Sequence, residues 1–399
     1  MEPRRRQPNV LFVDDDLEHL RGLEAAMAPR DDEWRIEYLA DPTLVRELLA
    51  QRELDVVVAD LDMPGIDGPG VLEMVRSMQP QAVRIVLTGE GHESELLRAL
   101  PFAHQWLTKP CPPELLRAAV ERAIVSGTFV HREDLRAILG HTQALPSVPH
   151  LFAEVALLIA DDDVDLQRVT AVVERDPAMA AKVLQLANCT FYRPERPLLS
   201  LREAVIRIGM RTLSNCVLAA ELFSAMPRDD RQTRLLVDGI ERRAMLQTRL
   251  LTHWCEEAVM LGPDVRELLP TCGLLHEVGA LVLLQFDPLS HRTTHRLAQR
   301  HRLSLEALER RMIGASHAQI AASLLGSWGL PWPIVDLMAN HHDPDRSHAG
   351  TDPCAMLAAA EVFVSTPWLV PDFEQRAVQN GWGFEFARWT DVAGQLLRR

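Results

Sequence analysis

Two folds in series are predicted for this 399-residue chain: an α/β doubly wound (βα)5 domain, then an all-α domain. Three observations predict them. Short apolar runs at Val10–Val13, Val56–Ala59 and Val83–Leu87, with weaker ones near Trp34–Leu39 and Gln105–Leu107, alternate with helical patterns such as Leu17–Met27, Leu44–Leu49 and Val71–Met78. Continuous apolar strands separated by helices mean a parallel sheet covered on both faces. After Ser126-Gly127-Thr128 the strand signals stop and helical periodicity takes over. The length, at ~150 residues per domain, gives two or three domains.

The first domain is placed at 8–126, a linker at 127–137, the helical domain at 138–345 and a helical extension at 346–399. The expected helices of the second part are Leu151–Ala160, Leu166–Val173, Ala178–Ala187, Leu201–Ile208, Leu213–Phe223, Gly239–Trp254, Cys272–Leu284, Leu305–Met312, Ala318–Trp328 and Ile334–Ala339. Proline and glycine punctuate their ends. In the extension, Trp368, Trp382, Phe384, Phe386 and Trp389 are read as packing on the helical domain.

Composition narrows the function. The net charge is 42 − 56 = −14, with no basic balance of the kind nucleic-acid binding needs, so DNA binding is disfavoured. Six scattered cysteines form no CxxC pair, which excludes a thiolate zinc motif and suggests reduced thiols in a cytoplasm. No apolar run approaches the ~18–20 residues that span a bilayer. The expected location is cytoplasmic. Only Lys109 and Lys182 are lysine; the other 42 − 2 = 40 basic residues are arginine.

Asp14-Asp15-Asp16 directly follows the first strand, Asp60 ends the third, Thr88 ends the fourth and Lys109 follows the fifth. In a doubly wound sheet these strand ends share one edge, where ligands bind. Clustered carboxylates repel unless a cation neutralises them, and Mg²⁺ prefers a few carboxylates plus waters and phosphate oxygens. A carboxylate can itself attack phosphorus, and the metal and Lys109 would offset the transferring charge. Asp16 reads as a helix N-cap.

These residues resemble the receiver domain of two-component response regulators, a flavodoxin-like fold. The stretches carrying the resemblance are Val13-Asp14-Asp15-Asp16, Asp55 to Gly68, Val86-Leu87-Thr88-Gly89 and Trp106-Leu107-Thr108-Lys109-Pro110. The resemblance implies Asp60 as phosphoacceptor, and Asp14, Asp15, Asp60 and the Asp62 backbone carbonyl as Mg²⁺ ligands. It implies Thr88 and Trp106 as the switch pair, Lys109 as the phosphate-binding lysine and a cis Lys109-Pro110 bond. The implied partner is a sensor histidine kinase or phosphotransfer protein.

Twelve of the fifteen histidines follow residue 126. Leu145-Pro146-Ser-Val-Pro149, Asp176-Pro177, Leu186-Ala-Asn188, Ala204 to Gly209, Gly273-Leu-Leu-His276-Glu277-Val-Gly279, Gly314-Ala-Ser-His317, Trp328-Gly-Leu-Pro331 and His341-His342-Asp343-Pro344 run in order. They resemble the HDOD output domain, a relative of the HD-superfamily metal-dependent phosphohydrolases. The hydrolase signature is His-Asp, whereas this chain has His276-Glu277. Where the hydrolases supply an upstream histidine, Arg242 or Arg243 would put a cation. A later hydrolase aspartate would fall near Glu361. The resemblance therefore implies a catalytically inactive domain with no metal, His276, Glu277, His317, His341 and His342 being a vestigial site. Glu309 reads as the partner of a nearby arginine.

The expected function is a response regulator whose phosphorylation at Asp60 controls an HDOD output that binds a protein. The alternative is a receiver-gated phosphohydrolase or phosphodiesterase. A helical pocket for a nucleotide second messenger is also open, with Arg242-Arg243 and Arg310-Arg311 suited to phosphate. Receiver pairing would give a homodimer.

Overall fold

The computed structural model describes residues 6–30, 32–89, 102–142, 145–147, 155, 158, 166–188, 196–218, 223–225, 231–258, 261–342 and 352–396. The expected helix over Leu151–Ala160, the motif residues Pro149, Asp343 and Pro344, and Cys189 lie outside them, residues 155 and 158 apart. Packing divides the chain into two compact units, the first containing residues 6–142.

In the first unit, β1 (Asn9–Val13), β2 (Arg35–Leu39), β3 (Val56–Asp60), β4 (Val83–Thr88) and β5 (Gln105–Thr108) form one sheet of order β2-β1-β3-β4-β5, parallel throughout. The order reverses between β1 and β3, so their carboxyl ends flank the switch point. Every residue of β3 and β4 is buried, as expected for central parallel strands, while the edge strand β2 carries Arg35 and Glu37 and is half-exposed. Side chains alternate between faces. Val10, Phe12, Val56, Val58, Val83, Ile85 and Leu87 pack with Leu20 and Leu23 of α1 (Leu17–Met27) and with Leu116 and Val120 of α4 (Pro113–Ser126). α2 (Val45–Gln51) packs on α3 (Gly68–Met78), which lies against β3 and β4.

The expected linker 127–137 is partly helix: α5 (Glu133–His141) belongs to the first unit. The reason lies in β4. Arg84 is fully buried and donates to the carbonyls of Pro80, Ala82, Phe102 and, at 2.7 Å, Gly140. A buried guanidinium needs acceptors for its five donors, and α5 supplies one of them.

The second unit is largely helical. It comprises α6 (Leu166–Val173), α7 (Pro177–Ala187), α8 (Leu201–Leu218, kinked at Gly209), α9 (Arg231–Glu257), α10 (Pro263–Leu275), α11 (Val278–Phe286), α12 (Pro288–His301), α13 (Leu305–Met312), α14 (His317–Ser327) as far as Ala322, α15 (Trp332–Asn340), α16 (Pro353–Ser365), α17 (Val370–Gln379) and α18 (Gly383–Leu396). It is not wholly α: Leu145–Ser147 (β6) and Phe223–Ala225 (β7) pair in parallel, a three-residue ladder too short to show as periodicity.

The helix expected over Cys272–Leu284 is two helices, α10 and α11, broken at His276-Glu277. Together Pro263–Phe286 is long and apolar enough to cross a membrane, but 89% of the qualifying window is buried inside the protein, as in a core helix. The extension at 346–399 is not separate. α16 packs on α9 and α10, and Trp389 stacks on Trp254 with centroids 5.0 Å apart, as Trp382 and Phe386 close the same aromatic layer.

Candidate functional site

At the carboxyl edge of the sheet, Asp14, Asp15 and Asp60 each bring a carboxylate oxygen within 4.8 Å of the others. Asp14 and Asp60 are buried; Asp15 is exposed. Lys109 Nζ spans the pair, 2.8 Å from Asp14 Oδ2 and 2.7 Å from Asp60 Oδ1. His19 Nδ1 also reaches Asp14 Oδ2 at 2.5 Å. Asp16 caps α1, accepting from the Glu18 and His19 amides.

Burial pushes the Asp60 carboxyl above its ordinary value, and Lys109 offsets this only in part. At Asp14 burial acts the same way, but hydrogen bonds from His19 and Lys109 outweigh it and hold the carboxyl low. Burial would lower the half-buried Lys109 ammonium, but both acids hold it above its ordinary value. The donor set fits a hard cation: three carboxylates, two of them shielded from water.

Gly68 explains part of the motif after Asp60. A Cβ there would stand 2.2 Å from the Asp60 carbonyl oxygen and 2.8 Å from Leu61 Cα. Only glycine lets α3 start against the end of β3, and Asp67 caps that helix through the Gly70 amide. Thr88 and Trp106 are both buried, on neighbouring strands. Arg84, Val86, Thr88 and Trp106 alternate onto the sheet face opposite Ile85, Leu87 and Leu107. The Lys109-Pro110 bond is cis.

In the second unit, His317, His341, His342 and Glu361 each place a donor atom within 4.8 Å of the others. Glu361 Oε2 lies 3.2 Å from both His341 Nε2 and His342 Nε2, and Oε1 lies 3.5 Å from His317 Nε2. His317 heads α14, His341 caps α15 and Glu361 lies on α16. Gly279 allows this convergence, since a Cβ there would sit 1.9 Å from the His317 carbonyl oxygen. Three imidazoles and a carboxylate suit one ion of the zinc class.

The His276-Glu277 pair stands apart from that group. His276 is buried, its Nδ1 3.2 Å from the Gly273 carbonyl and its ring edge-on to His317 and His341, centroids 6.0 and 6.1 Å away. Glu277 turns to Arg243 of α9: Nε donates to Oε1 at 2.7 Å and Nη2 to Oε2 at 2.8 Å. Burial would raise the Glu277 carboxyl, yet Arg243 holds it below its ordinary value. A carboxylate forked on both oxygens does not fit as a metal ligand.

Residues 10–121 match the response regulator receiver domain, and residues 145–344 match the HDOD domain. The chain belongs to the HDOD response regulators. An uncharacterized protein of Treponema pallidum (strain Nichols) is 26% identical over 260 residues, 65% of this chain and 48% of that protein. The hydrogenase transcriptional regulatory protein HoxA of Cupriavidus necator is 32% identical over 136 residues, 33% of this chain and 27% of its own length. The chain thus spans less than half the length of these curated relatives. Among solved structures, the MmoQ response regulator of Methylococcus capsulatus str. Bath is 21% identical with a TM-score of 0.47, covering 62% of this chain and 97% of that one. The signal receiver domain of an HD domain-containing protein from Pseudomonas fluorescens Pf-5 is 28% identical, with a TM-score of 0.29, over 31% of this chain and 98% of that one.

In this HDOD response regulator the residues singled out from sequence sort clearly. Asp14, Asp15, Asp60 and Lys109 meet, while Asp62 is exposed two residues beyond Asp60. His317, His341 and His342 meet and Glu361 joins them, so the expectation of a metal-free helical domain rests on Glu277 alone. Among the described residues Glu309 pairs with His317 rather than an arginine: its Oε2 accepts from the His317 amide at 2.8 Å and lies 2.6 Å from His317 Nδ1. Of the four expected phosphate-binding arginines, Arg243 pairs with Glu277 and Arg310 with Glu306 at 2.6 Å, while Arg242 and Arg311 are exposed. A cavity of about 390 Å³ beside His342 is lined by Glu306, Glu361 and Asp372 against the single Arg376, a poor match for a polyphosphate.

Proposed function

We propose that a sensor histidine kinase or phosphotransfer protein phosphorylates Asp60, and that the added charge controls an HDOD domain that binds a protein partner without hydrolysing a substrate. In the transfer, an Asp60 oxygen attacks phosphorus as the P–N bond to the donor histidine breaks. Bound Mg²⁺, held by Asp14, Asp15, Asp60 and the Asp62 carbonyl, would offset the charge on the phosphoryl oxygens. Lys109 follows the charge from carboxylate to phosphoryl oxygen, and Thr88 Oγ1 donates to the same group. Movement at Thr88 and Trp106 carries the change outward.

The non-hydrolytic reading rests on the Arg243–Glu277 fork. The alternative phosphohydrolase has four donors for one ion, but a second ion, as two-metal hydrolysis requires, would have to displace Arg243. The test incubates the full chain with Mn²⁺ and bis(p-nitrophenyl) phosphate, before and after phosphorylation. No turnover above the metal-only control is expected; turnover that disappears in His317→Ala would overturn the reading.

A further inference from the structure

We propose that His291, His295 and Glu309 form a separate divalent-cation site of the zinc class in the helical domain. His291 and His295 lie one turn apart on α12, their ring centroids 4.5 Å apart. Glu309 lies on α13, which packs against α12. One donor atom of each residue lies within 4.8 Å of the other two.

The decisive feature is what these atoms lack. His291 Nδ1, His295 Nε2 and Glu309 Oε1 are all buried, and none has a hydrogen-bond partner among the described residues. Buried polar atoms in folded proteins are nearly always paired, so an unpartnered atom on each of three residues that cluster in one place points to a missing ligand. His291 and Glu309 are almost completely buried, at 1% and 0% exposure. Glu309 is held through Oε2, which engages His317, so that Oε1 is its unpartnered oxygen.

The donor chemistry selects the ion. Two imidazole nitrogens and one carboxylate oxygen suit Zn²⁺, with a fourth position for water, and suit Mg²⁺ or Ca²⁺ poorly. Tetrahedral ligands at 2.0–2.1 Å stand about 3.4 Å apart, so small side-chain rotations close the set. Burial keeps both imidazoles neutral, His291 at about 4 and His295 at about 3, which is the form that binds metal. The cation that opposes a metal here, Arg243, is already paired with Glu277. No ligand atom is shared with the His317, His341, His342 and Glu361 group.

The test titrates the chelator-stripped full chain with Zn²⁺ against a chromophoric chelator, for wild type, His295→Ala and His342→Ala. His295 is partly exposed, which makes it the mildest of the three positions to change. One equivalent should weaken at least tenfold in His295→Ala and survive in His342→Ala. Unchanged affinity and stoichiometry in His295→Ala would overturn the proposal, as would wild type binding no Zn²⁺, the result expected if a buried water fills the space. X-ray absorption on His341→Ala/His342→Ala, which leaves the His317 and Glu361 group a single imidazole, gives with one equivalent of Zn²⁺ an answer that does not depend on the folding of His295→Ala. A shell of two imidazoles plus oxygen is expected; any other number of imidazoles would contradict it. Neither readout involves Asp60 phosphorylation or hydrolysis, so failure here leaves the proposed function to its own test.

Discussion

Replacing Arg243 by Met removes two charge-assisted hydrogen bonds and leaves Glu277 with 4% of its side chain exposed. Stranding one partner of a buried pair costs about 3–5 kcal/mol. The carboxylate has an escape, since it can take up a proton. At pH 7 that costs about 1.36 × (7 − 4.5), or roughly 3.4 kcal/mol, which caps the penalty. Arg243 itself is 21% exposed, so some water reaches the vacated space and the cost should lie near 3 kcal/mol. By the same arithmetic the penalty falls to about 0.7 kcal/mol at pH 5. Removing both charges in Arg243→Met/Glu277→Met should bring stability back to within about 1 kcal/mol of wild type. The assay is urea unfolding of the full chain, followed by circular dichroism and by fluorescence of the stacked Trp254–Trp389 pair. A single variant within 1 kcal/mol of wild type at pH 7, or a double variant showing the sum of the two single losses, would refute the reasoning.

Three further outcomes are expected. Gly68→Ala forces a Cβ against the Asp60 carbonyl, so labelling of Asp60 by acetyl phosphate and Mg²⁺ should slow, with overpacking of about 1–3 kcal/mol; a wild-type rate would contradict this. Arg84→Met removes the bond to the Gly140 carbonyl, so amides of Glu133–His141 should exchange with deuterium faster, and unchanged protection would argue against this anchor. Stability of the helical unit should peak near pH 6.5–7. His291 and His295, held by burial at about 4 and about 3, contribute fully above the unfolded 6.5 and lose that contribution as pH falls toward 4. His317 has the opposite sign: burial opposes its charge, but Glu309 raises it to about 10, so its contribution is full below 6.5 and lost as pH rises through 10. A flat urea midpoint from pH 5 to 9 would contradict both assignments.

The receiver could be read almost entirely from sequence because its chemistry sits at strand ends, and strand ends are marked by where apolar runs stop. Asp14 and Asp60 fall one step past such a run, and Lys109 two. The helical domain hides more. Histidines 317, 341 and 342 carried local motifs, but whether Arg242 or Arg243 reached Glu277 depends on how α9 lies against the break between α10 and α11. Helix α5 straddles the expected linker and helical domain because its packing depends on Arg84, about fifty residues earlier. The His291, His295 and Glu309 group was missed, although His-x-x-x-His on a helix is a usable signal, because its acid lies on the next helix and looked like an arginine's partner.

The most direct test of phosphoryl control is hydrogen–deuterium exchange of the full chain, with and without acetyl phosphate and Mg²⁺, beside Asp60→Asn. The prediction is one phosphoryl group on the wild type, none on the variant, and altered exchange in peptides spanning Arg231–Glu257 and Pro353–Ser365 only when Asp60 is phosphorylated. Full phosphorylation of Asp60 with identical exchange throughout those helices would contradict it.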